Sequence, residues 1–214
     1  MVKISPSVLA CDLSKLCDEV LDIEKAGADM IHLDVMDGRF VTNISFGLPV
    51  IRCLRKHTEA VFDVHLMIDE PERYINRFID AGADIVTFHY EACKDCSAAL
   101  DMIRGAGKKS AISVKPGTPV DVVYPLLDKC DMVLVMTVEP GYGGQALIPE
   151  TLDKVKALRD EIYRRGLSVD IQVDGGINDK NAPIAIANGA NILVAGSSVF
   201  KAVDRKSAID ALRG

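Results

Sequence analysis

The residues with the clearest chemical potential are two histidines and two aspartates set towards the ends of short apolar runs. His32-Leu33-Asp34 places an imidazole and a carboxylate two residues apart, which on an extended strand puts both side chains on one face. His65 lies near the end of Asp63-Val64-His65-Leu66-Met67, and Asp174 ends Gln172-Val173-Asp174 ahead of Gly175-Gly176. Two imidazoles and two carboxylates suit one divalent cation of borderline character: zinc, iron(II), manganese or cobalt. A single histidine or aspartate at a strand end is more often a hydrogen-bonded structural group. Four of them in otherwise apolar strands are unfavourable unless paired or metallated, which shifts the balance towards a site.

A second group of residues is glycine. Pro140-Gly141-Tyr142-Gly143-Gly144, Gly175-Gly176 and Ala195-Gly196-Ser197-Ser198 follow three successive apolar runs. Backbone N–H groups in such turns, with a short helix N-terminus, form phosphate sites. One glycine turn says little, because tight turns need glycine anyway. Three in succession point to a bound anion.

The elements that must position these groups alternate from end to end. Apolar, β-branched runs predict eight strands, near Ile4–Leu9, Met30–Val35, Val61–Leu66, Ile85–Phe88, Lys109–Val114, Met132–Met136, Val169–Val173 and Ile192–Val194. Helical patterns lie between them, such as Leu13–Ala26, with Asp12 and Ser14 as candidate caps, and Pro149–Arg165. Ala26-Gly27-Ala28-Asp29, Ala81-Gly82-Ala83-Asp84 and Asn188-Gly189-Ala190-Asn191 repeat one helix-to-strand turn, with glycine at the left-handed position. Strict alternation predicts parallel strands, and eight units predict a closed (β/α)8 TIM barrel of α/β class, a single domain over residues 1–214. A doubly wound sheet would need a glycine-rich turn after the first strand, where Ser7-Val8-Leu9-Ala10 stands instead. In a barrel, polar residues at the C-terminal strand ends carry the chemistry.

Composition narrows the partners. The net charge is −6 (25 Lys and Arg against 31 Asp and Glu), with no basic run, which excludes nucleic acid as an expected partner. The first residues lack a basic segment followed by an apolar one, and no apolar run reaches membrane-spanning length, so a cytoplasmic protein is expected. Six scattered cysteines read as free thiols, and Cys93-Lys94-Asp95-Cys96 is a lone C-x-x-C with no partner pair. His89-Tyr90-Glu91, at the end of the fourth run, is expected to support the site or the fold, His57 to face solvent, and Lys115-Pro116-Gly117 to serve a turn.

Ser5-Pro6-Ser7, the run from His32 to Val41, Phe46-Gly47, the runs from Asp63 to Met67 and Val135 to Gln145, Val173 to Gly176, and Ala195 to Phe200 together resemble the signature segments of the ribulose-phosphate 3-epimerase family. They span nearly the whole chain in order. The resemblance implies a metal held by His32, Asp34, His65 and Asp174, with Asp34 and Asp174 as the two proton-transfer carboxylates. It further implies that Ser7 and His65 contact the sugar, that Gly141, Tyr142, Gly143, Gly144, Gly175, Gly176, Gly196 and Ser197 line the substrate's phosphate end, and that Met36, Met67 and Met136 form an apolar cover. A homo-oligomer, dimer or hexamer, is typical of that family. Thr42 departs from its usual proline, and Ala146 from a frequent lysine or arginine.

Epimerisation beside a ketone removes a weakly acidic C–H proton on one face and returns one on the other, so two bases are needed. Allulose-6-phosphate 3-epimerases share this set and are the nearest alternative. Related decarboxylases resemble one another in a lysine two residues beyond the second-strand aspartate, where this chain has Met36. A non-catalytic sugar-phosphate-binding barrel is the third reading.

Overall fold

The apolar runs become eight parallel strands in the computed structural model, which describes residues 2–214. They are β1 (Lys3–Pro6), β2 (Ile31–Met36), β3 (Phe62–Met67), β4 (Ile85–His89), β5 (Lys109–Val114), β6 (Met132–Met136), β7 (Asp170–Asp174) and β8 (Ile192–Ala195). The ladder runs β1-β8-β7-β6-β5-β4-β3-β2, and a parallel bridge from Ser7 to His32 joins its two ends into a barrel. Helices α1 (Leu16–Lys25), α2 (Leu48–Arg55), α3 (Ile75–Ala81), α4 (Cys96–Gly105), α5 (Thr151–Arg165), α6 (Ala182–Ala187), α7 (Ser197–Phe200) and α8 (Arg205–Arg213) fill the crossovers. Between β5 and β6 the chain instead forms a 3-10 segment, Val120–Lys129, whose Pro125 lacks the N–H an α-helix needs.

Alternation along the strands separates two interiors. Leu33, Val35, Val64, Leu66, Val133 and Val135 point outward into the main core beneath the helices. Inward positions begin with an apolar plate of Met30, Ile85, Ala111, Met132 and Ile192. Other inward positions are polar yet fully buried: Ser5, His32, Asp63, Thr87, Ser113 and Gln172. Four of them, Ser5, His32, Asp63 and Gln172, are joined by hydrogen bonds, which constrain side-chain orientation more tightly than apolar filling does.

Two expected boundaries are corrected. The strand expected over Ile4–Leu9 stops at Pro6, because Ser7 turns to cap a 3-10 turn at Val8–Ala10, its Oγ accepting from Leu9 N at 3.3 Å. The helix expected from Leu13 opens with a 3-10 turn, Leu13–Lys15, and Asp12 caps that turn rather than α1. The helix-to-strand glycines Gly27, Gly82 and Gly189 all take positive φ as expected.

Candidate active site

Three strands bring the four expected donors together. β2 supplies His32 and Asp34, β3 supplies His65, and β7 supplies Asp174, and one donor atom from each lies within 4.8 Å of the others. His32 Nε2 is 3.3 Å from Asp34 Oδ1 and 3.7 Å from Asp174 Oδ2. His65 Nδ1 is 3.2 Å and 3.8 Å from the same two oxygens. Both imidazoles are wholly buried, while Asp34 and Asp174 reach the floor of a cavity of about 820 Å³. Ser7 Oγ, also on the cavity wall, donates to Asp34 Oδ2 at 2.6 Å.

The electrostatics of the cluster are unequal. Burial and the charge of Asp34 push the Asp174 carboxyl up to about 6. Burial also opposes ionisation of Asp34, but the neighbouring His32 outweighs it and holds its carboxyl far below the usual range. For His32, burial disfavours the cation, yet Asp63 and Asp34 overcome it and raise the imidazole well above its ordinary value. Two crowded acids and a buried His32 Nε2 with no hydrogen-bond partner among the described residues make a site short of positive charge at its centre. These residues fit a divalent cation.

Sequence reasoning missed the group that holds His32. Asp63 Oδ2 lies 2.8 Å from His32 Nδ1, and accepts from Ser5 Oγ at 3.0 Å and from Gln172 Nε2 at 2.6 Å. The signal was present, since Asp63 precedes His65 by two residues on β3 and therefore shares its inward face, as Gln172 does with Asp174 on β7. Ser45 was also missed: its Oγ donates to Asp34 O and accepts from Met36 N, fixing the end of β2.

Above the floor, Met36, Met67 and Met136 form apolar wall, and Gly141, Tyr142, Gly143, Gly144, Gly175, Gly176, Gly196 and Ser197 line the same cavity. Gly176 is required by conformation and space alike, because its φ is +70° and an added Cβ would lie 2.3 Å from Leu147 N. The loops after β2 and β6 are fastened together: Thr42 Oγ1 and Tyr142 OH are 2.6 Å apart, and Asn43 Nδ2 donates to Gly141 O at 3.0 Å. Ala146 lines the cavity too, as does Lys201. His57 faces solvent. All six cysteines are free thiols, and Cys93 and Cys96 lie off the cavity wall. Lys115 serves a turn, its carbonyl accepting from Thr118 N at 3.1 Å, and its Nζ also sits 3.8 Å from the centre of the Phe40 ring.

This fold and site define a (β/α)8 barrel with a two-histidine, two-aspartate donor set at its C-terminal mouth. The model of the ribulose-phosphate 3 epimerase family matches residues 3–200. The chain belongs to that family. Similar relatives are the ribulose-phosphate 3-epimerases of Bacillus subtilis (strain 168), 46% identical over 100% of this chain and 99% of the relative, and of Synechocystis, 45% identical over 99% and 93%. A cytoplasmic isoform from Oryza sativa is 44% identical over 99% and 92%. Among solved structures, a 3-keto-L-gulonate-6-phosphate decarboxylase from Vibrio cholerae O1 aligns with a TM-score of 0.75 at 15% identity, covering 100% of this chain and 96% of that one, a likeness of fold alone. No helix among the described residues is long and apolar enough to cross a membrane.

Proposed function

We propose that this chain is an isomerase that interconverts D-ribulose 5-phosphate and D-xylulose 5-phosphate, with Asp34 and Asp174 as its two proton-transfer groups. One observation carries the reading: these two carboxylates, from strands β2 and β7, meet at the cavity floor against the same pair of histidine nitrogens. Family membership supports the substrate.

Asp34 and Asp174 flank C3, so one removes the proton from one face while the other returns a proton to the opposite face. In the reverse reaction the roles exchange. Each acid keeps an oxygen for this task. Asp34 Oδ1 and Asp174 Oδ2 face the histidines, which leaves Asp34 Oδ2, held by Ser7 Oγ, and Asp174 Oδ1 for the proton. His32, Asp34, His65 and Asp174 would hold one divalent cation (zinc, iron(II), manganese or cobalt), which supplies electrostatic stabilisation of the negative charge that develops on the sugar's oxygens. Met36, Met67 and Met136 exclude water from the enediolate without offering it a hydrogen bond. The backbone around Gly141–Gly144, Gly175, Gly176, Gly196 and Ser197 receives the phosphate. The same reading makes the protein a cytoplasmic homo-oligomer, a dimer or hexamer, whose mass light scattering measures.

Incubation of the purified protein with D-ribulose 5-phosphate in deuterium oxide tests the function. Formation of D-xylulose 5-phosphate carrying deuterium at C3 is expected. Faster turnover of D-allulose 6-phosphate would move the assignment to the hexulose phosphate, and binding without exchange at C3 would make the barrel a sugar-phosphate binder.

A further inference from the structure

Behind His65 lie two residues that the proton transfer does not use, a fully buried His89 and a Glu91 that reaches the surface. His65 Nε2 is 2.9 Å from His89 Nε2, and His89 Nδ1 is 3.3 Å from Glu91 Oε2. The other Glu91 oxygen accepts from Lys115 N at 2.8 Å and from the Thr118 hydroxyl. His89 exposes no surface, and the Phe40 ring lies over it with centroids 4.7 Å apart.

The direction of this chain is set from its acidic end. Glu91 is a carboxylate and accepts from all of its partners, so His89 must donate from Nδ1. A neutral imidazole that donates from Nδ1 accepts at Nε2. The one proton between the two rings therefore sits on His65 Nε2, and His65 Nδ1 keeps its lone pair. That atom is the one facing Asp34 and Asp174.

We propose that His89 and Glu91 are positioning residues that lock His65 in its Nε2–H tautomer, so that Nδ1 is always presented to a divalent cation. The inference rests on the four-ligand reading above. His32 is braced through its Nδ1 by a carboxylate directly, whereas His65 is braced through its Nε2 by a relay. The relay also ties ligand orientation to the β5 loop, through Lys115 and Thr118. Groups that orient a ligating histidine in this way change metal affinity when removed. A purely structural role would need hydrogen bonds in either direction, while this one needs a single direction.

The tautomers are read by nitrogen-15 NMR of the imidazoles in the intact protein loaded with Zn2+. Protons on Nε2 of His65 and Nδ1 of His89 are expected, and a proton on His65 Nδ1 overturns the proposal. Glu91→Gln supplies the second arm. The Lys115 N–H can only donate, so the new amide oxygen must face it and the amide NH2 must face His89 Nδ1. Both tautomers then reverse, and a proton blocks His65 Nδ1. Zn2+ affinity, measured by chelator competition, is expected to fall about 10–100-fold, with a changed visible spectrum of bound Co2+. His89→Phe should do the same, and Glu91→Gln added to it should lower affinity no further. Undiminished affinity in Glu91→Gln overturns the relay alone. A wild-type protein that binds neither ion overturns the four-ligand reading with it.

Discussion

His32 Nδ1 and Asp63 Oδ2 stand 2.8 Å apart with neither side chain exposed. Burial pushes the Asp63 carboxyl up, but His32, Gln172 and Ser5 outweigh it and keep it below the usual range, so Asp63 is an anion inside the barrel. An anion there holds the His32 proton on Nδ1 and turns Nε2 to the site. Asp63→Asn keeps the shape and removes the charge. We expect the barrel to fold, with divalent-ion affinity down about 10–100-fold by chelator competition. Unaltered affinity would show that orientation of His32 does not depend on that charge.

The two acids at the floor make the sharpest test of catalysis. Asp34→Asn and Asp174→Asn remove proton-transfer groups without changing side-chain volume. Each is expected to lower kcat by at least about 10³-fold, with a far-ultraviolet circular dichroism spectrum like the wild type's. Retention of wild-type kcat by either variant removes that residue from the acid/base pair.

Metal removal follows from the donor set. Dialysis against a strong chelator should abolish turnover and lower Tm, and added Mn2+, Co2+ or Zn2+ should restore both, since a ligand bound only by the folded state stabilises it. Full activity in protein shown by elemental analysis to be metal-free would refute the role.

A pH effect in the metal-free protein follows from the raised carboxyl of Asp174, about 6 against an ordinary 3.8. A raised acid contributes stability that is fully present below about pH 3.8 and is lost as pH rises through about 6. Two units correspond to roughly 3 kcal/mol for a fully buried group. For Asp174, whose side chain is 17% exposed, about 2 kcal/mol is the better expectation. Metal-free Asp174→Asn should therefore be more stable than metal-free wild type above pH 6, with the gap closing as pH falls to 4. Urea unfolding at several pH values with chelator present measures the gap. A difference that stays constant from pH 4 to 7 would show that burial and Asp34 do not raise the Asp174 carboxyl.

Much of this was legible in the sequence because barrel strands carry long apolar runs. β5 and β6 match their expected bounds, Lys109–Val114 and Met132–Met136, the second as an unbroken apolar run. β1 does not, because Ser7 uses its side chain for a turn, a choice that strand propensity does not register. The four donors stood out as polar residues within otherwise apolar strands. The contact of His65 with His89 did not, because it depends on lateral register. His65 pairs with Thr87, and His89 comes two residues later on the neighbouring strand's inward face. No spacing within one segment encodes that pairing.

Gly176 offers a test of the phosphate end that is independent of the metal. Its φ of +70° strains any side chain, and a Cβ would press on Leu147 N and on Gln145 O, 2.8 Å away. Both contacts are backbone of the β6 loop, which cannot swing aside as a flexible side chain would. Gly176→Ala should therefore destabilise the protein by about 1–3 kcal/mol and displace that loop from the cavity wall. Loss of phosphate contacts weakens substrate and transition state alike, so KM should rise more than kcat falls. Metal affinity should be unchanged, because none of the four donors moves with the loop. A fall in kcat at unaltered KM would place Gly176 with the proton-transfer machinery instead of the anion site.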